Sequence, residues 1–103
     1  MAYENLYVDD FKEQFEGNDN AVVLDVRTPE EVAEGAIEGA TKINFFDSNF
    51  AEQVDKLDKS KAYFIYCRSG RRSANACNIM AEKGFEKLYN LEGGYMAWEA
   101  NGY

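Results

Sequence analysis

Two short and almost uninterrupted apolar runs constrain the fold of this chain most strongly, AVVLDV at residues 21–26 and AYFIY at residues 62–66. Strands that are apolar throughout belong inside a parallel sheet whose two faces are both covered. Segments with helical spacing separate these runs from each other and from further strand candidates. The alternation predicts an α/β fold with a mostly parallel sheet of about five strands, flanked by helices on both faces.

The predicted elements alternate along the whole chain. Strands are expected at residues 6–8, 21–26, 41–44, 62–66 and 87–91, and helices at residues 11–17, 28–35, 46–57, 71–83 and 95–100. The helix at 28–35 has the clearest start, because Thr28 suits the N-cap, Pro29 the first helical position, and Glu31 completes a capping box. The absence of repeats and linkers in the 103 residues indicates one domain.

The charge balance excludes some classes of partner. With 19 acidic and 11 basic residues the formal net charge is -8, which argues against binding to nucleic acid or to an anionic membrane. The sequence has no apolar run long enough to span a membrane, and MAYENLYVDD lacks the features of a signal peptide. Two cysteines do not make a disulfide framework. We therefore expect a cytoplasmic protein.

The arginines are unevenly distributed. The chain has four, Arg27, Arg68, Arg71 and Arg72, and three of them fall within five residues directly after Cys67. The guanidinium group holds oxyanions through a planar fork of donors, which lysine lacks. This placement in an acidic protein predicts a site for a small anion beside Cys67.

Cys67 follows a buried strand and precedes a short loop and a helix. Ligands of parallel sheets bind beyond the carboxyl ends of the strands, which is where Cys67 is expected. Converging loop amides, the helix N-terminus and nearby arginines would each favour the thiolate, and Gly70 would permit the turn. The sequence thus predicts a nucleophile with a lowered pKa. The alternative is an inert core cysteine, the commoner state of a single cysteine.

Four segments resemble the rhodanese family in order and spacing: LDVRTPEE at residues 24–31, EGAIEGA at 34–40, YCRSGRRS at 66–73 and LEGGYMAW at 91–98. The similarity extends over nearly the whole chain and is closest to the small stand-alone rhodaneses. It implies that residues 1–103 form a single rhodanese domain with a three-layer α/β fold.

The resemblance also implies an activity. Cys67 matches the catalytic cysteine, and the residues after it match the family's active loop, which binds the transferred sulfur: Arg68, Ser69, Gly70, Arg71 and Arg72. The cysteine takes sulfur from an anionic donor such as thiosulfate and passes it from a persulfide to cyanide or a thiol. No metal or organic cofactor is implied, and the donor or acceptor could also be a protein.

Residues outside the loop are given supporting roles by the same resemblance. Asp25 and Arg27 are expected to brace the loop from below, with Arg27 paired to a carboxylate such as Glu31. Gly93, Gly94 and Trp98 are interpreted as packing residues.

The sequence departs from the family at one position. Many relatives carry Gly-His-Ile where this chain has Gly-Ala-Ile at residues 35–37, and the chain contains no histidine at all. A Cys–His base pair is therefore excluded. Activation of Cys67 is expected to come from backbone amides and arginines alone.

Three alternatives remain. A Cys-dependent phosphatase or arsenate reductase would need an arginine six residues after the cysteine, where this chain has Ser73, with Arg72 one residue early. A persulfide carrier, which relays sulfur between partner proteins without turnover of small molecules, would use the same loop. A redox pair of Cys67 and Cys77 is disfavoured, because a helix would hold the two residues apart, and Cys77 is interpreted as core packing.

Overall fold

A five-stranded sheet, parallel throughout, forms the middle layer of the computed structural model, which describes residues 2–103. Met1 of the expected 1–103 domain lies outside the described residues. The strands are β1 (Glu4–Leu6), β2 (Ala21–Asp25), β3 (Thr41–Lys42), β4 (Ala62–Tyr66) and β5 (Leu88–Leu91). They lie in the order β1-β5-β4-β2-β3, so the two apolar runs occupy neighbouring inner positions. The predicted parallel sheet of five strands is confirmed.

Helices cover both faces of this sheet. They are α1 (Val8–Glu16), α2 (Pro29–Ala33), α3 (Phe50–Asp55), α4 (Arg71–Glu82) and α5 (Gly94–Ala100). Side chains of β4 alternate between two hydrophobic cores: Tyr63 and Ile65 join the core of α3 and α4, whereas Phe64 and Tyr66 join that of α1 and α5. The α/β arrangement with three layers is therefore confirmed.

Several predicted elements begin or end elsewhere than expected, and the third strand stops at Lys42 and not at residue 44. The first strand ends at Leu6 and not at Val8, because Val8 already begins α1 and is buried on that helix. The helix expected at 46–57 begins only at Phe50. The side chain of Asn44 accepts a hydrogen bond from the Phe46 backbone amide at 2.9 Å, and this local turn competes with helix formation.

Local sequence signals determine where the two helices beside the active loop, α2 and α4, begin. At the start of α2 the Glu31 amide donates to Thr28 Oγ1 at 3.3 Å and the Thr28 amide donates to Glu31 Oε1 at 3.0 Å, which confirms the capping box. Gly70 precedes α4 with φ of 101°, a left-handed conformation that other residues rarely adopt. The chain thereby turns from the end of β4 into α4 within four residues, 67–70.

Candidate active site

Cys67 lies directly after β4, and none of its surface is exposed. Its Sγ accepts a hydrogen bond from the Gly70 amide at 3.1 Å. The amide and the hydroxyl of Ser73, in the first turn of α4, each lie 3.4 Å from the same sulfur. The strand, the loop and the helix N-terminus therefore place several donors around one sulfur atom.

These donors control the ionisation of Cys67. Burial has the largest single effect on the pKa of the thiol and raises it, because a charge is disfavoured away from water. The Ser73 hydroxyl and the amides of Ser73, Gly70 and Ser69 act in the opposite direction and together outweigh burial. The pKa of Cys67 is therefore lowered, in agreement with the prediction from the sequence.

The arginines of the active loop (residues 68–72) act on Cys67 only through charge, since the negative charge of the Cys67 thiolate is among the causes that raise the pKa of Arg72. Arg68 and Arg71 are exposed. Arg72 forms a two-pronged ion pair with Glu31, in which Nη1 and Nη2 lie 2.8 Å from the two carboxylate oxygens. This pair holds the pKa of Glu31 at about 2, chiefly through the hydrogen bonds from Arg72. The expectation that amides and arginines alone activate Cys67 was wrong, because the Ser73 hydroxyl also lowers its pKa.

Arg27 is paired with a carboxylate as expected, but the partner is Asp25 and not Glu31. Arg27 forms a two-pronged ion pair with Asp25, with Nη2–Oδ2 and Nε–Oδ1 distances of 2.7 and 3.0 Å. Its guanidinium group also donates to the carbonyls of Glu31 and Gly35. The physical reason is local, because the Glu31 carboxylate is turned toward Thr28 and Arg72. Both members of the pair are buried, at 0 % exposure for Asp25 and 5 % for Arg27.

The Asp25–Arg27 pair is joined to β4 through Tyr66. The hydroxyl of Tyr66 donates to Asp25 Oδ2 at 2.7 Å and accepts from the Ile37 amide at 3.0 Å. Burial is the main cause of the raised pKa of Tyr66, so this hydroxyl stays protonated. Asp25 and Arg27 thus lie at the end of β2, beside the residue that precedes Cys67, where a bracing role was expected.

Two polar residues were missed by the sequence analysis. Ser73 was noted only as a mismatch to the phosphatase pattern, and Asn90 on β5 was not considered. The Ser73 Oγ lies 2.5 Å from Asn90 Oδ1, while Asn90 Nδ2 donates to Asn5 Oδ1 at 2.9 Å and to the Gly70 carbonyl at 3.2 Å. A polar residue within the buried strand LYNL was the available signal, because buried amides need partners.

The start of α5 packs against the active loop. The amides of Tyr95 and Met96 donate to the carbonyls of Cys67 and Arg68 at 2.8 and 3.1 Å. Gly94 has φ of 60°, and a Cβ at this position would lie 2.6 Å from the Ser69 nitrogen. The packing role predicted for this segment therefore includes direct contact with the loop.

Cys77 is as buried as Cys67, but its pKa is shifted in the opposite direction. It is fully buried in the core formed with α3 and α4, and burial raises its pKa to about 12. Both thiols are free, so the disfavoured redox pair is not formed. The interpretation of Cys77 as core packing is confirmed.

The part of the chain described by the structure, residues 2–103, has no group of three or more His, Cys, Asp or Glu side chains placed to hold a metal ion. Over the same residues, no helix is both long enough and apolar enough to cross a membrane.

Comparisons with known proteins give a consistent result. The model of the rhodanese-like domain matches residues 7–101. The Bacillus subtilis protein named "Putative sulfurtransferase YtwF" is 48 % identical over 88 residues, which are 85 % of this chain and 82 % of that protein. The thiosulfate sulfurtransferase GlpE of Shewanella oneidensis is 34 % identical over 80 residues, 77 % of each chain. A rhodanese-related protein from Thermoplasma volcanium superimposes with a TM-score of 0.84 at 31 % identity, over 98 % of this chain and 95 % of the other.

Proposed function

The chain belongs to the rhodanese-like domain family, and from this premise we propose that it is a sulfurtransferase that carries sulfur on Cys67. The Cys67 thiolate attacks the outer sulfur of a donor such as thiosulfate. A new S–S bond forms, the bond within the donor breaks, and sulfite leaves with its electron pair. The acceptor, cyanide or a thiolate, then attacks the outer sulfur of the persulfide and releases the Cys67 thiolate.

The observation that carries this proposal is the set of donors around Cys67 Sγ. The Gly70 amide and the amide and hydroxyl of Ser73 lie within 3.1–3.4 Å of the buried sulfur and lower its pKa, which favours the thiolate without a histidine base. The same donors suit the negative charge that returns to Cys67 when the acceptor removes the outer sulfur.

The surroundings of Cys67 favour sulfur transfer over phosphoryl transfer. A phosphatase needs an arginine fork that faces the oxyanion held beside its cysteine. Here Arg72 is paired with Glu31, and the next position is Ser73, whose small hydroxyl contacts the sulfur itself. The loop is therefore suited to one sulfur atom.

A relay between proteins is the second candidate, favoured by two apolar side chains that border the active loop. Phe46 is 66 % exposed and lies 5.4 Å from the Arg72 guanidinium, and Met96 is 52 % exposed beside Arg68. Exposed apolar side chains beside a reactive thiol would suit contact with a protein donor or acceptor.

Intact-mass spectrometry after mixing with thiosulfate tests the proposal. We expect a gain of one sulfur atom that a thiol reverses, that is absent in Cys67→Ser, and that persists in the matched control Cys77→Ala. Protein persulfides should be supplied as donors in parallel, because loading only from these would select the relay. No gain from any sulfane-sulfur donor would rule out sulfur transfer by this chain.

A further inference from the structure

A chain of hydrogen bonds, exposed at its β1 end and buried at its other end, leads from Asn5 through Asn90 to the sulfur of Cys67. Asn90 is 3 % exposed, and its Nδ2 donates to Asn5 Oδ1 and to the Gly70 carbonyl. A carbonyl can only accept, so the nitrogen of the Asn90 amide must face Gly70. Its Oδ1 must consequently face the hydroxyl of Ser73, at 2.5 Å.

The Ser73 hydroxyl has one proton and two neighbours that can accept it. Oγ lies 2.5 Å from Asn90 Oδ1 and 3.4 Å from Cys67 Sγ, and Ser73 is fully buried. A single O–H donates well to one acceptor at a time, because a strong hydrogen bond requires a nearly linear geometry. The position of this proton therefore depends on the charge of the sulfur.

Two arrangements follow from counting donors. When Cys67 is a thiol, its S–H donates to Ser73 Oγ and the hydroxyl donates to Asn90 Oδ1. When the thiol proton has left to a base in solvent, the hydroxyl can rotate toward the thiolate, and Asn90 Oδ1 then loses its donor. A buried acceptor that loses its donor has a free-energy cost, which opposes ionisation.

We propose that Asn90 is a positioning residue that competes with the Cys67 thiolate for the single proton of Ser73. The hydroxyl then has two positions, and Asn90 sets the balance between them. The inference deepens the proposed function, since it rests on Cys67 as the nucleophile.

Other charged and titratable groups near Cys67 leave this competition intact. Those on α4 are Arg72, which is paired with Glu31, and Cys77, which lies in the core. The neighbouring β2 ends in the closed Asp25–Arg27 pair, and α5 contributes Tyr95, whose amide bonds the Cys67 carbonyl. Substitutions at Asn90 remove none of these side chains. They do remove the hydrogen bond from Asn90 Nδ2 to the Gly70 carbonyl, so the comparison with and without Ser73 is what assigns a change in ionisation to the Ser73 proton.

The test is the pH dependence of Cys67 alkylation by iodoacetamide in Asn90→Leu, which removes the acceptor at similar volume. In this variant only Cys67 Sγ remains to accept the proton of the Ser73 hydroxyl, so the hydroxyl should stabilise the Cys67 thiolate. We expect the transition to move to lower pH and the alkylation rate below it to rise roughly threefold to tenfold. Ser73→Ala alone should move the transition to higher pH. In a Ser73→Ala background, Asn90→Leu should have no effect on the transition.

Two results would overturn the inference. One is a transition in Asn90→Leu that moves to higher pH, as in Ser73→Ala, because Asn90 would then only hold Ser73 in place. The other is an equal effect of Asn90→Leu with and without Ser73.

If Asn90→Leu does not fold, the unmodified chain supplies the answer by NMR. The Asn90 side-chain amide signals should shift as Cys67 ionises and should stop doing so in Ser73→Ala, whereas constant signals would contradict the competition. None of these measurements uses a sulfur donor. If Cys67 titrates as expected but takes up no sulfur, the result would therefore count against the proposed function and not against the role of Asn90.

Discussion

Arg68 and Arg71 are exposed in the active loop, whereas Arg27 and Arg72 are each held by a carboxylate. We therefore expect the first two, which are not held in such a pair, to be the arginines that meet an incoming anion. Arg68 also borders a small cavity of about 120 Å³ that Arg27 lines as well.

Neutralising either of these two side chains should weaken the use of anionic sulfur donors more than the use of neutral ones. In Arg68→Gln or Arg71→Gln we expect kcat/KM for thiosulfate to fall by about threefold to tenfold, because one charge-assisted contact is lost, while a neutral persulfide donor is used nearly as before. Steady-state kinetics with both donors is the measurement, with Lys59→Gln, far from the loop, as the control. Equal losses for both donors would mean that these arginines do not bind the anion.

Glu31 offers a prediction about stability and pH. Its pKa of about 2 lies below the ordinary 4.5, so the stabilisation by Arg72 is complete above about pH 4.5 and is lost as the pH falls toward 2. Glu31→Gln keeps a capping side chain but removes the charge, and should lower the free energy of unfolding by about 1–3 kcal/mol at neutral pH.

Urea unfolding at neutral pH and in acid measures this effect. The difference between Glu31→Gln and the unmodified chain should shrink in acid. The matched control is Glu16→Gln, whose ion pair with Lys12 is exposed and should contribute little. A difference that stays constant down to the lowest pH would contradict the assignment to the Arg72 pair.

At the scale of elements, the start of α5 fixes the backbone of the active loop. Gly94→Ala would place a methyl group against the Arg68 carbonyl and the Ser69 nitrogen. Because backbone cannot yield as a flexible side chain does, the loop must shift and the donors around Cys67 lose their alignment. We expect at least about a tenfold loss of sulfur transfer, since displacing a catalytic group by about 1 Å can cost even more.

Gly102→Ala is the control for this substitution. Gly102 also has a positive φ, 80°, but a Cβ there meets nothing within 4 Å. Comparing turnover and thermal unfolding of the two variants separates displacement of the loop from backbone strain alone. Similar losses of activity in both would show that contact with the loop is not the cause.

The elements also explain which features could be predicted from the sequence. β2 and β4 were recognised because both faces of an inner strand must be apolar. The limits of β1 and β3 were not, since strands of three and two residues at the edges carry almost no pattern. The site at Cys67 could be predicted because its loop is formed by residues that are consecutive in the sequence. The contacts of Ser73 with Asn90 and of Arg72 with Glu31 join residues 17 and 41 positions apart, which local patterns do not encode.

At the scale of the whole molecule, one sheet separates two hydrophobic cores. Cys77 lies in the core beneath α3 and α4, and Trp98 lies in the core beneath α1 and α5. Neighbouring residues of β4 contribute alternately to both, so neither core can form without the same strand. The two faces should therefore unfold together.

This cooperativity can be measured with one native probe in each core. Trp98 is the single tryptophan, and its fluorescence reports one face, while alkylation of Cys77 reports the other. We expect coincident midpoints in urea, as for a two-state domain. Midpoints that differ beyond error would mean that the cores melt separately.

The edges of the sheet differ sharply from its centre. β1 and β3 are only three and two residues long, while the inner strands β2 and β4 have five each. An edge this short exposes few unpaired amides and carbonyls for a strand of another molecule to bind. The apolar runs in β2 and β4 therefore lie inside a sheet whose two edges offer little for another molecule to pair with. Substitutions that lengthen β3 should lower solubility before they change activity.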